Sequence, residues 1–296
     1  MQLIKISPRG FCTGVINAFA ITKNVALNNP NKKIYMLGWL VHNEHVVKEM
    51  LDLGVIVLDD KIKDRKSLIL EIDNTDEPIV IFSAHGTDQK VIDLAKKRNL
   101  RVIDLTCVYV TQTHDLIKEK LNEGYNVFYI GVSNHPETIS ALSIDEKIIL
   151  LESAEDVNKL KCPDKKIFVT NQTTISIYEF YDVIKALRLK YKNIEFKNDI
   201  CNATNERQDA LINVVKTLDL VIVVGDRRSN NSLKLVEIGK THNVESHLVS
   251  NINDLCDNWF IDKQKVGITS GASTPDKITQ KIIDTIIQRY NPEIIE

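Results

Sequence analysis

PRGFCTGV (Pro8–Val15), DLTCVYVTQTH (Asp104–His114) and DICNATNERQ (Asp199–Gln208) each place one cysteine just ahead of a helix-like stretch. Cys12, Cys107 and Cys201 stand 95 and 94 residues apart, a period that reads as an internal repeat of three lobes. From each cysteine the glycine that ends the next strand pattern follows after 26, 24 and 24 residues, at Gly38, Gly131 and Gly225. Four residues beyond each glycine stands a polar group: His42, His135 and Ser229. One strand later comes a second, His85 in FSAHG, Thr173 in NQTT and Ser273 in SGAS.

Short β-branched runs alternate with amphipathic stretches around these landmarks, which predicts an α/β fold with mostly parallel sheets. Strands are expected at Lys33–Leu37, Ile79–Phe82, Val102–Leu105, Val127–Ile130, Lys166–Val169, Leu220–Val224 and Lys265–Ile268. Helices are expected at Val15–Leu27, His45–Leu53, Gln89–Arg98, His114–Asn122, Ile177–Lys190, Asn205–Lys216 and Pro275–Tyr290. No low-complexity linker interrupts the pattern. Residues 1–296 are therefore expected to form a single catalytic unit with approximate lobes 1–100, 101–195 and 196–296. The polar groups fall at the carboxyl ends of strands, where open α/β sheets bind ligands and helix N-termini offer free N–H groups. Three such lobes, with those ends pointing inward, would enclose one central pocket.

The chain has 296 residues, 43% hydrophobic and 26% charged, with a formal charge of −2. That balance carries no basic field for nucleic acid or an anionic membrane. MQLIKIS opens directly as an apolar strand, so a secretory leader is not expected and the cytoplasm is. Five cysteines in such a setting argue for thiols or metal ligands over a disulfide framework.

Three thiolates from distant segments, without a C-x-x-C pair, fit a zinc finger poorly and a [4Fe–4S] cluster better. Three cysteines leave one iron of a cubane open as a Lewis acid. The histidines and hydroxyls then offer donors to an anionic group, and Glu137 a proton. Cys162 and Cys256 fall outside the repeat and read as small core hydrophobes. His45, His114, His242 and His247 read as ordinary satisfied polar residues, and Asp226-Arg227-Arg228 as a solvated loop.

Taken together the motifs resemble the 4-hydroxy-3-methylbut-2-enyl diphosphate reductase family (LytB/IspH). Besides the three cysteine segments, the matching stretches are VHN (Val41–Asn43), FSAHG (Phe82–Gly86), NHPE (Asn134–Glu137) and NQTT (Asn171–Thr174). VVG…SNNS (Val223–Ser232) and GITSGASTPD (Gly267–Asp276) complete a set that spans nearly the whole chain in the family's order.

The resemblance implies reductive removal of the allylic hydroxyl of a diphosphate substrate, yielding isopentenyl and dimethylallyl diphosphates. The electrons would come from a ferredoxin- or flavodoxin-type donor. It implies three pseudo-threefold-related α/β lobes with mostly parallel sheets around a central iron–sulfur cluster, a [4Fe–4S] cluster ligated by Cys12, Cys107 and Cys201. His42, His85, Ser229, Asn230, Asn231 and Ser273 would grip the diphosphate, with His135 beside them. Glu137 would supply the proton, relayed through Thr173.

Three departures from the family pattern bear on pocket shape. Val108 replaces a common proline, Thr138–Ala141 replaces Val-Glu-Gly-Thr, and Asn230 stands for a serine. Two other readings fit a three-cysteine chain: a different open-iron enzyme such as quinolinate synthase, or a non-catalytic iron–sulfur sensor. The motif matches disfavour the first, and a sensor has no need of Glu137 or of the full diphosphate set.

Overall fold

The structure is a computed structural model that describes residues 1–161 and 166–296; Cys162 lies outside them. In chain order the first elements are β1 (Gln2–Lys5), α1 (Thr13–Asn28), β2 (Ile34–Leu37), α2 (Glu44–Asp52), β3 (Ile56–Leu58) and α3 (Arg65–Glu71). Next come β4 (Ile79–Phe82), α4 (Gln89–Lys97), β5 (Arg101–Asp104), α5 (Val108–Asn122), β6 (Asn126–Ile130) and α6 (Pro136–Leu142). They are followed by β7 (Ile149–Leu151), α7 (Asp156–Lys159), β8 (Ile167–Asn171), α8 (Ile177–Lys190), β9 (Ile194–Phe196) and α9 (Asn202–Val215). The last are β10 (Leu220–Val224), α10 (Asn230–Thr241), β11 (Glu245–Val249), β12 (Lys265–Ser270), α11 (Asp276–Tyr290) and β13 (Glu293–Ile295).

The strands form three sheets, and their ladders are parallel throughout, as the alternating pattern predicted. Two have four strands each, ordered β3-β2-β4-β5 and β7-β6-β8-β9. The third is ordered β11-β10-β12-β1-β13. The first four strands of each order follow one plan: the opening strand of the lobe lies second, flanked by the next two. In the third sheet the fourth place belongs to β1, from the opposite end of the chain. The plan thus closes on itself, and each cysteine follows the fourth strand of a sheet: Cys12 after β1, Cys107 after β5, Cys201 after β9.

By compactness the chain divides into two units. The first comprises Met1–Ile16, Val41–Val46 and Asn202–Glu296, and contains the five-stranded sheet. One face of that sheet packs Leu220, Ile222, Val224 and Ile268 against Ile282, Ile283 and Ile286 of α11. The other packs Val221 and Val223 against Leu211 and Val215 of α9 and Leu235 of α10. The second unit comprises Asn17–Leu40 and Val47–Cys201, and contains the two four-stranded sheets. There Phe82 and Val80 meet α3 and α4, while Phe128 and Val169 meet Phe180 and Ile184 of α8. Strands buried on both faces read as continuous apolar runs, which explains IVIF and LVIVV.

Two expectations about single residues change. Asp226 is no solvated loop residue: it is buried, and its carboxylate accepts the Glu44 N–H at 2.9 Å and the Arg228 N–H at 2.8 Å. Its charge thereby offsets unpaired donors at the first turn of α2. Cys256 is only partly buried, at the head of a 3-10 turn over Asp257–Phe260. Among the described residues no helix is long and apolar enough to cross a membrane.

Candidate active site

Each cysteine stands immediately before a helix, α1, α5 or α9, and is of intermediate exposure, with no disulfide to it among the described residues. The three amides share one more feature. Cys12 N–H donates to Ala272 O at 3.0 Å, Cys107 N–H to Ala84 O at 2.9 Å, and Cys201 N–H to Thr173 O at 3.0 Å. Each acceptor belongs to the loop after the third strand of the lobe's sheet, beside or at the second polar group: Ser273, His85 and Thr173. A helix N-terminus favours the thiolate, which is the form that binds metal. The Cys12 loop also needs Gly10, which has φ +76° and donates its N–H to Ser270 Oγ at 2.7 Å. A Cβ there would collide with the Asp276 carboxylate.

In the first unit the polar set is a chain of hydroxyls. Ser229 caps α10, its Oγ accepting the Ser232 N–H at 3.3 Å. Ser273 Oγ lies 3.3 Å from Ser229 Oγ and the same distance from the carbonyl of His42, a buried residue. Asn231 donates from its amide to Thr204 Oγ1 at 3.1 Å and accepts the Ala272 N–H at 3.2 Å. It therefore orders the Ser273 loop and keeps a second amide N–H for a ligand. Asn230 opens α10, at a helix N-terminus whose positive end suits an anion.

In the second unit the set is titratable. The His85 and His135 rings meet edge to face with centroids 5.5 Å apart. His135 caps the short helix α6, its Nδ1 accepting the Glu137 N–H at 3.2 Å, with Pro136 at the first helical position. That bond fixes the neutral tautomer with the proton on Nε2. Burial, with the nearby Arg65 charge, pushes His85 down to about 3 and His135 well below its usual value. Both are therefore neutral donors near pH 7.

Glu137 is 2% exposed. Its Oε1 accepts the Thr173 N–H at 2.7 Å and its Oε2 bonds Thr173 Oγ1 at 3.0 Å. Burial outweighs these donors and raises its pKa to about 7. A carboxylic acid half-protonated at neutral pH, one bond from a threonine hydroxyl, is equipped to deliver a proton.

Sequence reasoning missed the residues that hold these groups. Arg65 bonds Asp60 Oδ2 at 2.8 Å, Gly86 O at 2.7 Å, Thr87 Oγ1 at 2.6 Å and Ser83 Oγ at 2.9 Å, so it clamps the loop that carries His85. Gln172 accepts from Val132 N–H at 3.0 Å and from Thr138 Oγ1 at 3.1 Å, which ties α6 to the end of β8. Thr138, one of the departures from the family pattern, thus has a bonded place. An arginine within the charged run Asp59–Lys66 gave no signal of this kind.

The match to the LytB protein family model extends over residues 3–287. The chain belongs to the LytB family. It is 56% identical over 287 residues to the 4-hydroxy-3-methylbut-2-enyl diphosphate reductase of Malacoplasma penetrans, covering 96% of each chain. To the enzyme of that name from Symbiobacterium thermophilum it is 44% identical over 301 residues, covering 100% of both. Among solved structures it resembles the E-1-hydroxy-2-methyl-but-2-enyl-4-diphosphate reductase of Plasmodium falciparum, with a TM-score of 0.90 and 34% identity. That match covers 99% of this chain and 90% of the other. Another solved reductase, described as the terminal enzyme of the non-mevalonate pathway, matches with a TM-score of 0.67 and 30% identity, covering 97% and 99%. LytB proteins use an iron–sulfur cluster. The alternatives of quinolinate synthase and of a non-catalytic sensor find no support among these relatives.

Proposed function

We propose that this chain is a 4-hydroxy-3-methylbut-2-enyl diphosphate reductase. It removes the allylic hydroxyl to give isopentenyl and dimethylallyl diphosphates, the last step of the non-mevalonate isoprenoid pathway. One observation carries the reading: a buried acid, Glu137, is bonded twice to Thr173, whose carbonyl receives the amide of Cys201. Proton source and cysteine thus share one residue.

Cys12, Cys107 and Cys201 would hold a [4Fe–4S] cluster, and the fit rests on three cysteines at helix N-termini, outside any disulfide among the described residues, with matching amide bonds. When bound, the cluster supplies electrons one at a time and one iron open to act as a Lewis acid. The reaction consumes two electrons and two protons; one proton leaves in water with the hydroxyl and the other ends on carbon. The residues 1–296 act as a single catalytic unit, supplied by a ferredoxin- or flavodoxin-type donor in the cytoplasm.

His42, Ser229, Asn230, Asn231 and Ser273, with His85 and His135, bind the diphosphate as neutral donors. Hydrogen bonds to a charged acceptor are worth about 1.5–3 kcal/mol each, so a few of them suffice without a surplus of cations. Protonated Glu137 donates to Thr173 Oγ1, and the threonine turns its own hydrogen toward the substrate.

Anaerobically purified protein with a full cluster should consume the hydroxylated diphosphate when given a low-potential dye. No turnover under those conditions would falsify the assignment. In Glu137→Gln the amide can keep both bonds to Thr173 while losing the transferable proton. Turnover should fall by about 10²–10⁴-fold with cluster content and substrate affinity retained.

A further inference from the structure

We propose that Ser232 is a positioning residue for the diphosphate grip: its hydroxyl fills the acceptor side of Ser229 Oγ and so commits that hydroxyl to donate outward. The inference rests on the reading of Ser229 as a donor to the diphosphate, and deepens it.

Ser232 lies in the first turn of α10 with no exposure at all. Two strand ends close over it. A Cβ on Gly225, just after β10, would stand 2.2 Å from Ser232 Oγ, and one on Gly271, just after β12, 2.1 Å from it. The Gly271 N–H donates to Val224 O at 2.9 Å, which holds those two ends together. Bare backbone on both sides leaves a niche that fits a hydroxyl. At zero exposure that hydroxyl does not reach a ligand itself, so whatever it does for binding it does through a neighbour.

Among the described residues the Ser232 hydroxyl has one partner, Ser229 Oγ, at 3.1 Å. That single partner fixes the direction of the bond. Were Ser229 to donate, the Ser232 hydrogen would be buried without an acceptor, which is the costlier arrangement. The Ser232 O–H therefore donates. Ser229 Oγ also accepts the Ser232 N–H at 3.3 Å, as the cap of α10.

A serine hydroxyl has two acceptor positions and one hydrogen. An ordinary helix cap uses one acceptor position and can still either give or take a further hydrogen bond. Here the N–H and the O–H of Ser232 occupy both positions, and Ser229 keeps only its hydrogen. Ser273 Oγ, 3.3 Å from Ser229 Oγ, has the His42 carbonyl at the same distance for its own hydrogen. A diphosphate oxygen is an acceptor, and a hydroxyl that can only donate is matched to it before the ligand arrives. The orientation that binding would otherwise have to impose is already present in the fold.

The test is a double-mutant cycle in the cluster-loaded protein. It is read as KM for the hydroxylated substrate and as the Kd of inorganic diphosphate by calorimetry. Ser232→Ala keeps the helix N–H and the packing and removes only the second donor. Both constants should rise about fivefold, with kcat and iron content held. Ser229→Ala should raise them about tenfold. The double variant should lose no more than Ser229→Ala does, because the hydroxyl to be aimed is already gone. A purely structural residue would act independently and give a product of about fiftyfold. Unchanged constants in Ser232→Ala, or multiplied losses in the double variant, overturn the role of Ser232. Constants unaffected by Ser229→Ala instead overturn the reading beneath it, so the two failures are distinct.

Discussion

At the strand ends of the first unit the side-chain donors are mainly hydroxyls and amides, Ser229, Ser273 and Asn231, joined by His42. At the corresponding ends of the second unit they are His85, His135 and Glu137. The sheets follow the same strand order, so the difference lies in what is mounted on them. Hydroxyls and amides keep one charge at every accessible pH. Imidazoles and carboxyls do not, and burial here drives them in opposite senses, the histidines toward neutrality and the acid toward retention of its proton. The comparison teaches how the donors are distributed: hydroxyls and amides that do not titrate, beside one histidine, in one unit, and two neutral imidazoles with the buried acid in the other.

The cysteines are the feature the units share, so their loss should be the most severe and the least discriminating change. Cys12→Ser, Cys107→Ser and Cys201→Ser should each abolish the brown chromophore and turnover, measured as iron per chain. Cys256→Ser should leave both intact. A variant at Cys201 that kept a full cluster would remove the common frame on which the comparison rests.

Next in size, Thr173→Val should lower kcat by about 10²-fold at unchanged iron content, since it deletes the hydroxyl that passes the proton on. A loss confined to KM would move Thr173 to the gripping side. Ser229→Ala should do the reverse, raising KM by about tenfold, the value of one hydrogen bond to a charged group. Its kcat should keep the same decline above pH 7 that Glu137 imposes on the native protein, because an acid must hold its proton to donate it. A shifted limb in Ser229→Ala would show that the two units are not chemically separate.

The smallest effect is on stability. Folding raises the pKa of Glu137 from 4.5 to about 7, so the folded state binds more protons between those values. Its contribution is fully present below pH 4.5 and is lost as pH rises through 7. Glu137→Gln removes the cost of the buried charge and should gain up to about 3 kcal/mol at pH 8 relative to pH 4, as read from urea midpoints. Equal gains at both pH values would mean that the carboxyl is not strained by burial.

The lobes' central strands were legible because burial on both faces writes a continuous apolar run, as in Ile79–Phe82 and Leu220–Val224. The three-residue edge strands β3, β7 and β9 were not, since three residues carry no period. Helix α6 escaped for a similar reason: PETISAL is short, and its form depends on the His135 cap and Pro136. α5 begins six residues before the expected His114, because Cys107 itself occupies the capping position. The cysteine, histidine and serine positions could be read from repeat spacing and motif order. Arg65 could not. An arginine in a charged run looks solvated until its four partners are seen.

The place of β1 in the last sheet has a consequence for synthesis. Gln2–Lys5 pairs with β12 on one side and β13 on the other, and the Glu293 N–H bonds the Met1 carbonyl at 3.0 Å. As the chain leaves the ribosome, the lobe of β2–β5 and the lobe of β6–β9 can each close on residues already made. The strand that precedes Cys12 cannot, because its partners β12 and β13 emerge after both of those lobes. Until then Gly10 lacks Ser270, Cys12 lacks Ala272, and the first thiol translated is the last to find its setting. The order of folding thus leaves the loop around Cys12 unfinished until β12 and the loop after it have been made.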